Sequence, residues 1–287
     1  MKVLVLGAGG MLGSACYKIF AQSDDFRTYG TLRTVGSVGG SRGEQGTLIP
    51  CVNALDLNQL AYIFDQCEPE IVINCVGIIK QLESVDNLPL MIETNALLPH
   101  RLARLCSRYK ARLIHISTDC VFSGAKGMYK ESDMPDALDP YGRTKQLGEI
   151  VARNAVTLRT SIIGHELKRK VSLIDWFLSQ KGTVKGYRRA IFSGLPAVEL
   201  ARVIRDYVVP ERDMTGLYHV AAEPITKFDL LTLVAKEYSH EVNLVPDDAL
   251  AIDRSLDGQR FKDHTGYIAA PWSALVRSMR ERGAVAA

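Results

Sequence analysis

The sequence predicts a doubly wound parallel α/β sheet followed by a smaller C-terminal substrate lobe. Three observations predict it. Short apolar runs alternate with segments of helical period through the first half of the chain, the pattern of βαβ units. A glycine-rich turn, Gly7-Ala8-Gly9-Gly10-Met11-Leu12-Gly13, joins the first apolar run to the first helical segment. The alternation then weakens after about residue 160, where a second unit is expected. The expected division is a dinucleotide-binding unit over 1–160, with a returning segment near 190–221, and a substrate lobe built from 161–189 and 222–287.

Val3–Leu6 reads as the first strand, and from Met11 the period turns helical, with Leu12, Cys16 and Ile19 on one face. Arg27–Leu32 reads as a second strand and Leu48–Val52 as a weaker third. Ile71–Val76 and Leu113–Ser117 are apolar enough to be strands covered on both faces. Helical patterns fill the gaps around Asn58–Gln66 and Leu98–Tyr109. Right-handed crossovers then place helices on both sides of the sheet. Further on, Val171–Ser179 reads as a helix, Lys181–Arg189 as a basic stretch and Leu217–Ala221 as a strand. Phe228–Tyr238 is helical, with Leu230, Leu231, Val234 and Ala235 at helical spacing. Gly36–Gly46 holds five glycines and reads as a surface loop.

Composition narrows the function. The chain has 287 residues, 47% hydrophobic and 23% charged, which is ordinary for a folded globular protein. A net charge of +3 does not suggest a general nucleic-acid binder. The six cysteines form no CxxC pair and no zinc-like spacing with histidine, and several lie in apolar runs. A reducing compartment, the cytoplasm, is expected. Lys2 and the apolar stretch after it superficially mimic an export signal, but Gly7, Gly9, Gly10 and Gly13 interrupt it. No run approaches the ~18 apolar residues of a membrane span.

The glycine turn is the expected cofactor site. Gly7 allows a tight turn, Gly10 a close approach of backbone to a pyrophosphate, and Gly13 close packing of helix on sheet. The helix start, at Met11 and Leu12, offers N–H groups and a positive dipole end. The spacing is glycine every third residue, with Leu12 where the commonest Rossmann fingerprint has glycine. An acidic residue that favours NAD is expected about 20 residues further on. That region reads Gly30-Thr31-Leu32-Arg33-Thr34, with no carboxylate. Arg33 suits a 2′-phosphate, so NADPH is predicted over NADH. Asp56 and Leu57, after the third strand, are placed at the adenine, and Gly77, after the fourth, close to the cofactor.

Tyr141-Gly142-Arg143-Thr144-Lys145 opens a helix expected to continue through Leu147, Ile150 and Val151. Tyrosine and lysine at i and i+4 share a helical face. The spacing predicts that the ammonium acidifies the phenol, whose ordinary pKa is ~10. Upstream, Ser117-Thr118-Asp119-Cys120-Val121-Phe122 follows the fifth strand and sets a hydroxyl at the carboxyl edge of the sheet.

These motifs together resemble the extended short-chain dehydrogenase/reductase family, and its dTDP-4-dehydrorhamnose reductase branch in particular. Gly7, Gly10 and Gly13 resemble its cofactor loop. Ser117-Thr118-Asp119 resembles the strand bearing the catalytic hydroxyl, and Tyr141 to Lys145, followed by Leu147-Gly148-Glu149, resembles the tyrosine–lysine motif. Arg159-Thr160-Ser161 and Asp253-Arg254-Ser255-Leu256-Asp257 resemble two further segments. The resemblance implies reduction of a keto group on a nucleotide-linked deoxysugar. It makes Tyr141 the proton donor, Lys145 its electrostatic partner and Thr118 the hydroxyl that orients the carbonyl. It also implies substrate contacts at Cys120, Val121 and Phe122, with Cys120 standing where the branch usually has tyrosine. The acidic cluster some relatives use for magnesium has no counterpart here, so no metal is expected.

A sugar-nucleotide dehydratase resembles this chain but carries an Asp-Glu pair after the threonine; here Cys120 follows Asp119. A sugar-nucleotide epimerase and a non-catalytic dinucleotide-binding regulatory subunit stay open as alternatives. The basic residues Lys168-Arg169-Lys170, Arg188, Arg189, Arg254 and Arg260 fit a diphosphate. Asn95 is expected to hold backbone or water near the site, His115 to be a packed core histidine, and Trp272 to anchor the C-terminal helix. The expected partner is a nucleoside-diphosphate sugar, with a homodimer left open, and no nucleic acid or membrane.

Overall fold

A computed structural model describes residues 1–34, 46–79, 87–167 and 172–283. The first half runs β1 (Lys2–Leu6), α1 (Met11–Ala21), β2 (Arg27–Thr31), β3 (Gly46–Ile49), α2 (Leu57–Cys67), β4 (Ile71–Asn74), α3 (Leu88–Met91), α4 (Leu98–Arg108), β5 (Arg112–Ile116), α5 (Pro140–Leu147) and β6 (Ala155–Arg159). The second half adds β7 (Ile162–Ile163), α6 (Leu173–Ser179), β8 (Thr183–Tyr187), β9 (Ala190–Phe192), β10 (Leu195–Pro196), α7 (Ala197–Val203) and β11 (Gly216–His219). It closes with β12 (Ile225–Thr226), α8 (Lys227–Glu237), β13 (Asn243–Asp247), β14 (Ile252–Asp253), α9 (Gln259–Thr265) and α10 (Trp272–Gly283).

Seven strands form one sheet in the order β11-β6-β5-β4-β1-β2-β3, with every neighbouring pair parallel. The winding reverses between β1 and β4. At such a switch point the strand ends leave a crevice for a ligand. Register brings the carboxyl ends level there, with Leu6 opposite Asn74 and Asn74 opposite His115.

Alternation along each strand builds a core on both faces. Val3 and Val5 of β1 and Ile71 and Ile73 of β4 point to the side of α1, α7, α8 and α10. Leu4, Leu6 and Val72 point to the side of α2 and α4. Each fully buried side chain of this size contributes about 1.5–3 kcal/mol of transfer free energy. The small C-terminal sheets are separate. β8 pairs with β13, and β9 lies between β12 and β14. No helix among the described residues is long and apolar enough to cross a membrane.

Several elements differ from expectation. The third strand is Gly46–Ile49 rather than Leu48–Val52. It starts at Gly46 because that residue lies against Tyr17, where a Cβ would overlap the phenol. The rest of the glycine loop, 35–45, lies outside the described residues, as does Lys168-Arg169-Lys170. Helix α5 stops at Leu147, so Val151 is 92% exposed and lines no apolar face, although Ile150 is buried. Just past its end, Gly148 lies so close to the Asn95 carbonyl oxygen that a Cβ there would overlap it. The basic stretch is mostly strand β8, whose Lys185 and Arg188 pair with Asp247 and Asp248 of the β13 segment. His115 is a buried core residue, and Trp272 is buried with its indole N–H donating to the Glu223 carbonyl at 2.7 Å.

Candidate active site

The turn after β1 is shaped by two glycines. Gly7 has φ +81°, in the left-handed region, and its carbonyl accepts from Gly10 N at 3.0 Å. A Cβ on Gly13 would overlap that same carbonyl, so only glycine lets α1 begin so close to β1. The cap residue Gly10 has no side chain, so no cap bond closes the helix start. The N–H groups of Met11, Leu12 and Gly13 therefore have no partner within the helix. The Leu12 side chain is buried, which leaves its N–H as the group it offers. Thr31 at the end of β2 holds the turn, its hydroxyl accepting from Gly7 N at 3.1 Å and its carbonyl from Ala8 N at 2.9 Å. Arg33 follows two residues later and is exposed. Asp56 is the N-cap of α2, where its Oδ1 accepts from Asn58 N and Gln59 N at 3.0 and 3.1 Å. Leu57 beside it is exposed. Gly77 follows β4 against Asn95, whose Oδ1 accepts from Ile78 N at 2.9 Å and whose amide donates to the Ile78 carbonyl and to Thr144 Oγ1.

The catalytic candidates meet at the end of β5. The chain turns through a short 3-10 helix, Asp119–Val121, capped by Thr118, whose Oγ1 accepts from Cys120 N at 3.1 Å. Helix α5 rests on this turn. Pro140 sits in its first turn and Asp139 caps it, accepting from Gly142 N at 2.9 Å. A Cβ on Gly142 would overlap the Cys120 carbonyl, so glycine there sets how closely α5 approaches. The result brings together two residues 23 positions apart, with the Thr118 hydroxyl close enough to bear on the Tyr141 phenol. One turn on, Lys145 is buried and donates to the Ile116 carbonyl at 2.6 Å.

The electrostatics correct one expectation. Burial pushes the Tyr141 phenol up rather than down, and the neighbouring Cys120, Asp119 and Asp139 add to the rise. The bond with Thr118 opposes it. The phenol thus holds its proton firmly, because its low-dielectric surroundings disfavour phenolate. Burial lowers Lys145 to about 8, against the pull of Glu149 and Cys75. Glu149 is itself locked: Oε1 accepts from Ser117 Oγ at 2.7 Å and Arg159 Nε at 2.6 Å, and Oε2 from Arg159 Nη2 at 2.7 Å. Behind it, His219 is held neutral, its pKa lowered to about 4 chiefly by burial. A neutral ring can donate from Nδ1 to the Tyr129 carbonyl at 2.9 Å and accept from Arg159 at Nε2, 3.3 Å away.

The expected substrate residues divide. Cys120 lies at the turn, 3.8 Å from Nη1 of Arg254, which also donates from Nε to the Phe122 carbonyl at 2.8 Å. Val121 and Phe122 are fully buried; Phe122 stacks on Tyr129 at 4.0 Å and lies 5.1 Å from the Arg159 guanidinium. They form the floor behind the turn, with no exposed side-chain surface. Arg188 is closed on Asp248, with Nε donating to Oδ1 at 2.9 Å, which engages the fork meant for a diphosphate. Arg189 is exposed, and its carbonyl accepts from Ile252 N at 3.0 Å, next to the Arg254 segment. Arg260 stacks over Tyr218 at 4.6 Å instead of joining Arg254. One residue was missed: Lys227, the first of α8, whose pKa is lowered by burial and by Arg254, against the pull of Asp119 and Cys120. Its only sequence signal is a lysine after a helix-capping threonine, where the dipole disfavours a cation.

Comparison with known proteins matches this geometry to a family. The RmlD substrate binding domain family matches residues 1–279. A probable low-salt glycan biosynthesis reductase, Agl14, of Haloferax volcanii is 31% identical over 272 residues, covering 88% of this chain and 86% of that protein. Methionine adenosyltransferase 2 subunit beta of Bos taurus is 31% identical over 173 residues, 58% of this chain and 48% of that protein. The chain thus spans about half the length of such curated relatives. The crystal structure of dTDP-4-dehydrorhamnose reductase from Bacillus anthracis in complex with NADP superposes with a TM-score of 0.79 at 18% identity, over 98% of both chains. The chain belongs to the RmlD substrate-binding domain family of extended short-chain dehydrogenases/reductases.

Proposed function

We propose that this protein is an NADPH-dependent reductase of a keto group on a nucleotide-linked deoxysugar. The observation that carries the reading is the meeting of Thr118 and Tyr141 at the carboxyl edge of the sheet, with Lys145 one turn further along α5. The glycine turn fits a dinucleotide: its helix start is uncapped, and Gly13 keeps the backbone low where phosphate must approach. Met11, Leu12 and Gly13 would hold the pyrophosphate through N–H groups, with Gly7 and Gly10 making room. Arg33 would pair with the 2′-phosphate, Asp56 and Leu57 would border the adenine, and Gly77 would flank the cofactor near Lys145. Bound there, the dihydronicotinamide supplies the two electrons and the hydrogen that reduce the carbonyl carbon.

The chain's own residues manage the oxygen. Thr118 donates to the carbonyl oxygen and fixes its direction. Tyr141 gives that oxygen its phenolic proton as negative charge develops on it. A phenol with a raised pKa stays protonated until then, and an alkoxide is basic enough to take the proton. Lys145 then steadies the phenolate left behind, its ammonium favoured by the nearby charge of Glu149. Arg254 lines the substrate side beside Cys120.

The names of the relatives support this reading: one is a glycan biosynthesis reductase, and a structure of the same fold binds NADP. The product would feed glycan assembly in the cytoplasm, and the free cysteines of the chain fit a reducing compartment. A regulatory-subunit reading is favoured by the match to methionine adenosyltransferase 2 subunit beta. It predicts dinucleotide binding without turnover. The test is loss of NADPH absorbance with a panel of keto-deoxysugar nucleotides. Wild type should turn over at least one, and Tyr141→Phe should lose about 10²–10⁴-fold in kcat. No consumption with any sugar, or an unimpaired Tyr141→Phe enzyme, contradicts the proposal.

A further inference from the structure

Helix α5 and the residues just past it grip the end of β5 at two consecutive positions. Lys145 donates to the Ile116 carbonyl at 2.6 Å, and the Ser117 hydroxyl donates to Glu149 Oε1 at 2.7 Å. The next residue is Thr118. Strand β6 runs alongside the same stretch: Ser117 N donates to the Leu158 carbonyl at 2.8 Å and Asp119 N to the Thr160 carbonyl at 3.0 Å. Arg159 stands between those two partners, and its fork closes on Glu149 at 2.6 and 2.7 Å.

The pair is enclosed from behind. The Arg159 guanidinium lies 5.1 Å from the Phe122 ring, and its Nη1 is 3.3 Å from His219 Nε2. His219 Nδ1 lies 2.9 Å from the Tyr129 carbonyl, which can only accept. Nδ1 therefore carries the proton and Nε2 turns its lone pair to Arg159. The backbone of His219 is held as well, its N–H donating to Glu131 Oε1 at 2.8 Å. Inward from β11 the order is a neutral imidazole, a guanidinium, a carboxylate and the Lys145 ammonium. A buried ion pair is a poor source of stability compared with apolar side chains of the same volume. Its place beside the strand that carries Thr118 points to another use.

That use is the charge on Lys145. Burial disfavours the ammonium, while Glu149 on the same element and Cys75 after β4 favour it. His115 of β5 also faces it, and burial keeps that imidazole neutral. We propose that Ser117, Glu149 and Arg159, backed by His219, form an electrostatic clamp in which one fixed carboxylate keeps the Lys145 ammonium charged beside Tyr141. They are positioning residues, acting through Lys145. What the ammonium does in turnover rests on the reductase reading above; the coupling of the charges does not.

The test is an NMR titration of Lys145 in the full chain with NADP added, using isotope-labelled lysine side chains and Lys145→Met to identify the resonance. Glu149→Gln should move the Lys145 midpoint down by about one pH unit or more. The alkaline fall of kcat/KM should move with it, leaving the rate at low pH within a few-fold of wild type. Glu149→Asp, which keeps the charge, should restore most of the shift. Glu149→Gln combined with Arg159→Met leaves no unpaired charge and covers the case in which the single variant does not fold. It should also lower the midpoint, because Glu149 is the nearer of the two charges to Lys145. An unmoved midpoint, or a loss of rate that is equal at every pH, overturns the clamp. If the midpoint moves but wild type consumes no NADPH with any keto sugar, the reductase reading fails and the clamp stands. If the sugars are reduced and the midpoint does not move, the clamp fails and the reading stands.

Discussion

Lys145 carries a charge that its burial opposes, and its pKa of about 8 sets a pH window. If the ammonium steadies the phenolate, kcat/KM falls as pH rises through about 8. A pH–rate profile checks this, and a profile flat to pH 10 contradicts it. The sign for stability is opposite. The unfolded lysine, near 10.5, keeps its proton longer than the folded one. The native state therefore gains from this residue as pH rises from about 8 towards 10.5. Arg33 makes a second prediction at this scale. In Arg33→Ala the ratio of kcat/KM for NADPH over NADH should fall about tenfold or more, as a charge-assisted pair is lost; an unchanged ratio removes Arg33 from cofactor choice. Tyr141 and Lys145 were legible in the sequence because i and i+4 on a helix are neighbours by geometry. The raised phenol pKa was not, since it arises from burial and from Cys120, Asp119 and Asp139, which the i, i+4 spacing does not show.

Among the elements, β6 and the segment after α5 are welded by Glu149 and Arg159, whose side chains are 12% and 3% exposed. Removing one partner leaves a buried charge without compensation. Glu149→Ala should therefore cost about 3–5 kcal/mol of stability, read as a drop in denaturation midpoint; a cost under about 1 kcal/mol would rank the pair with exposed ones. The strands of the main sheet were readable as apolar runs because most are covered on both faces. β3 was displaced because Gly46, placed by sequence in a loop, is a strand residue packed on Tyr17. The end of α5 was missed because its apolar period continues past Gly148, which the sequence alone does not mark as the helix end. Val121 and Phe122 were read as substrate contacts from their position after the threonine, yet the turn of Asp119–Val121 rotates them into the core.

At the scale of the molecule, the sheet supplies the site and the later segments complete it. Strand order reverses between β1 and β4, which sets the glycine turn beside the ends of β4 and β5. β11 returns to the sheet edge, and the segment after β14 carries Arg254 back to the catalytic turn. In the proposed reaction this arrangement reduces a sugar carbonyl with a hydrogen from the cofactor and a proton from Tyr141. The most direct measurement uses NADPH deuterated at the transferring position of C4 and a keto-deoxysugar nucleotide, with the product read by mass spectrometry and NMR. One deuterium on the new carbinol carbon, with stoichiometric NADP, is the predicted result. A sugar product with no deuterium at that carbon, or NADPH left unconsumed, would contradict it.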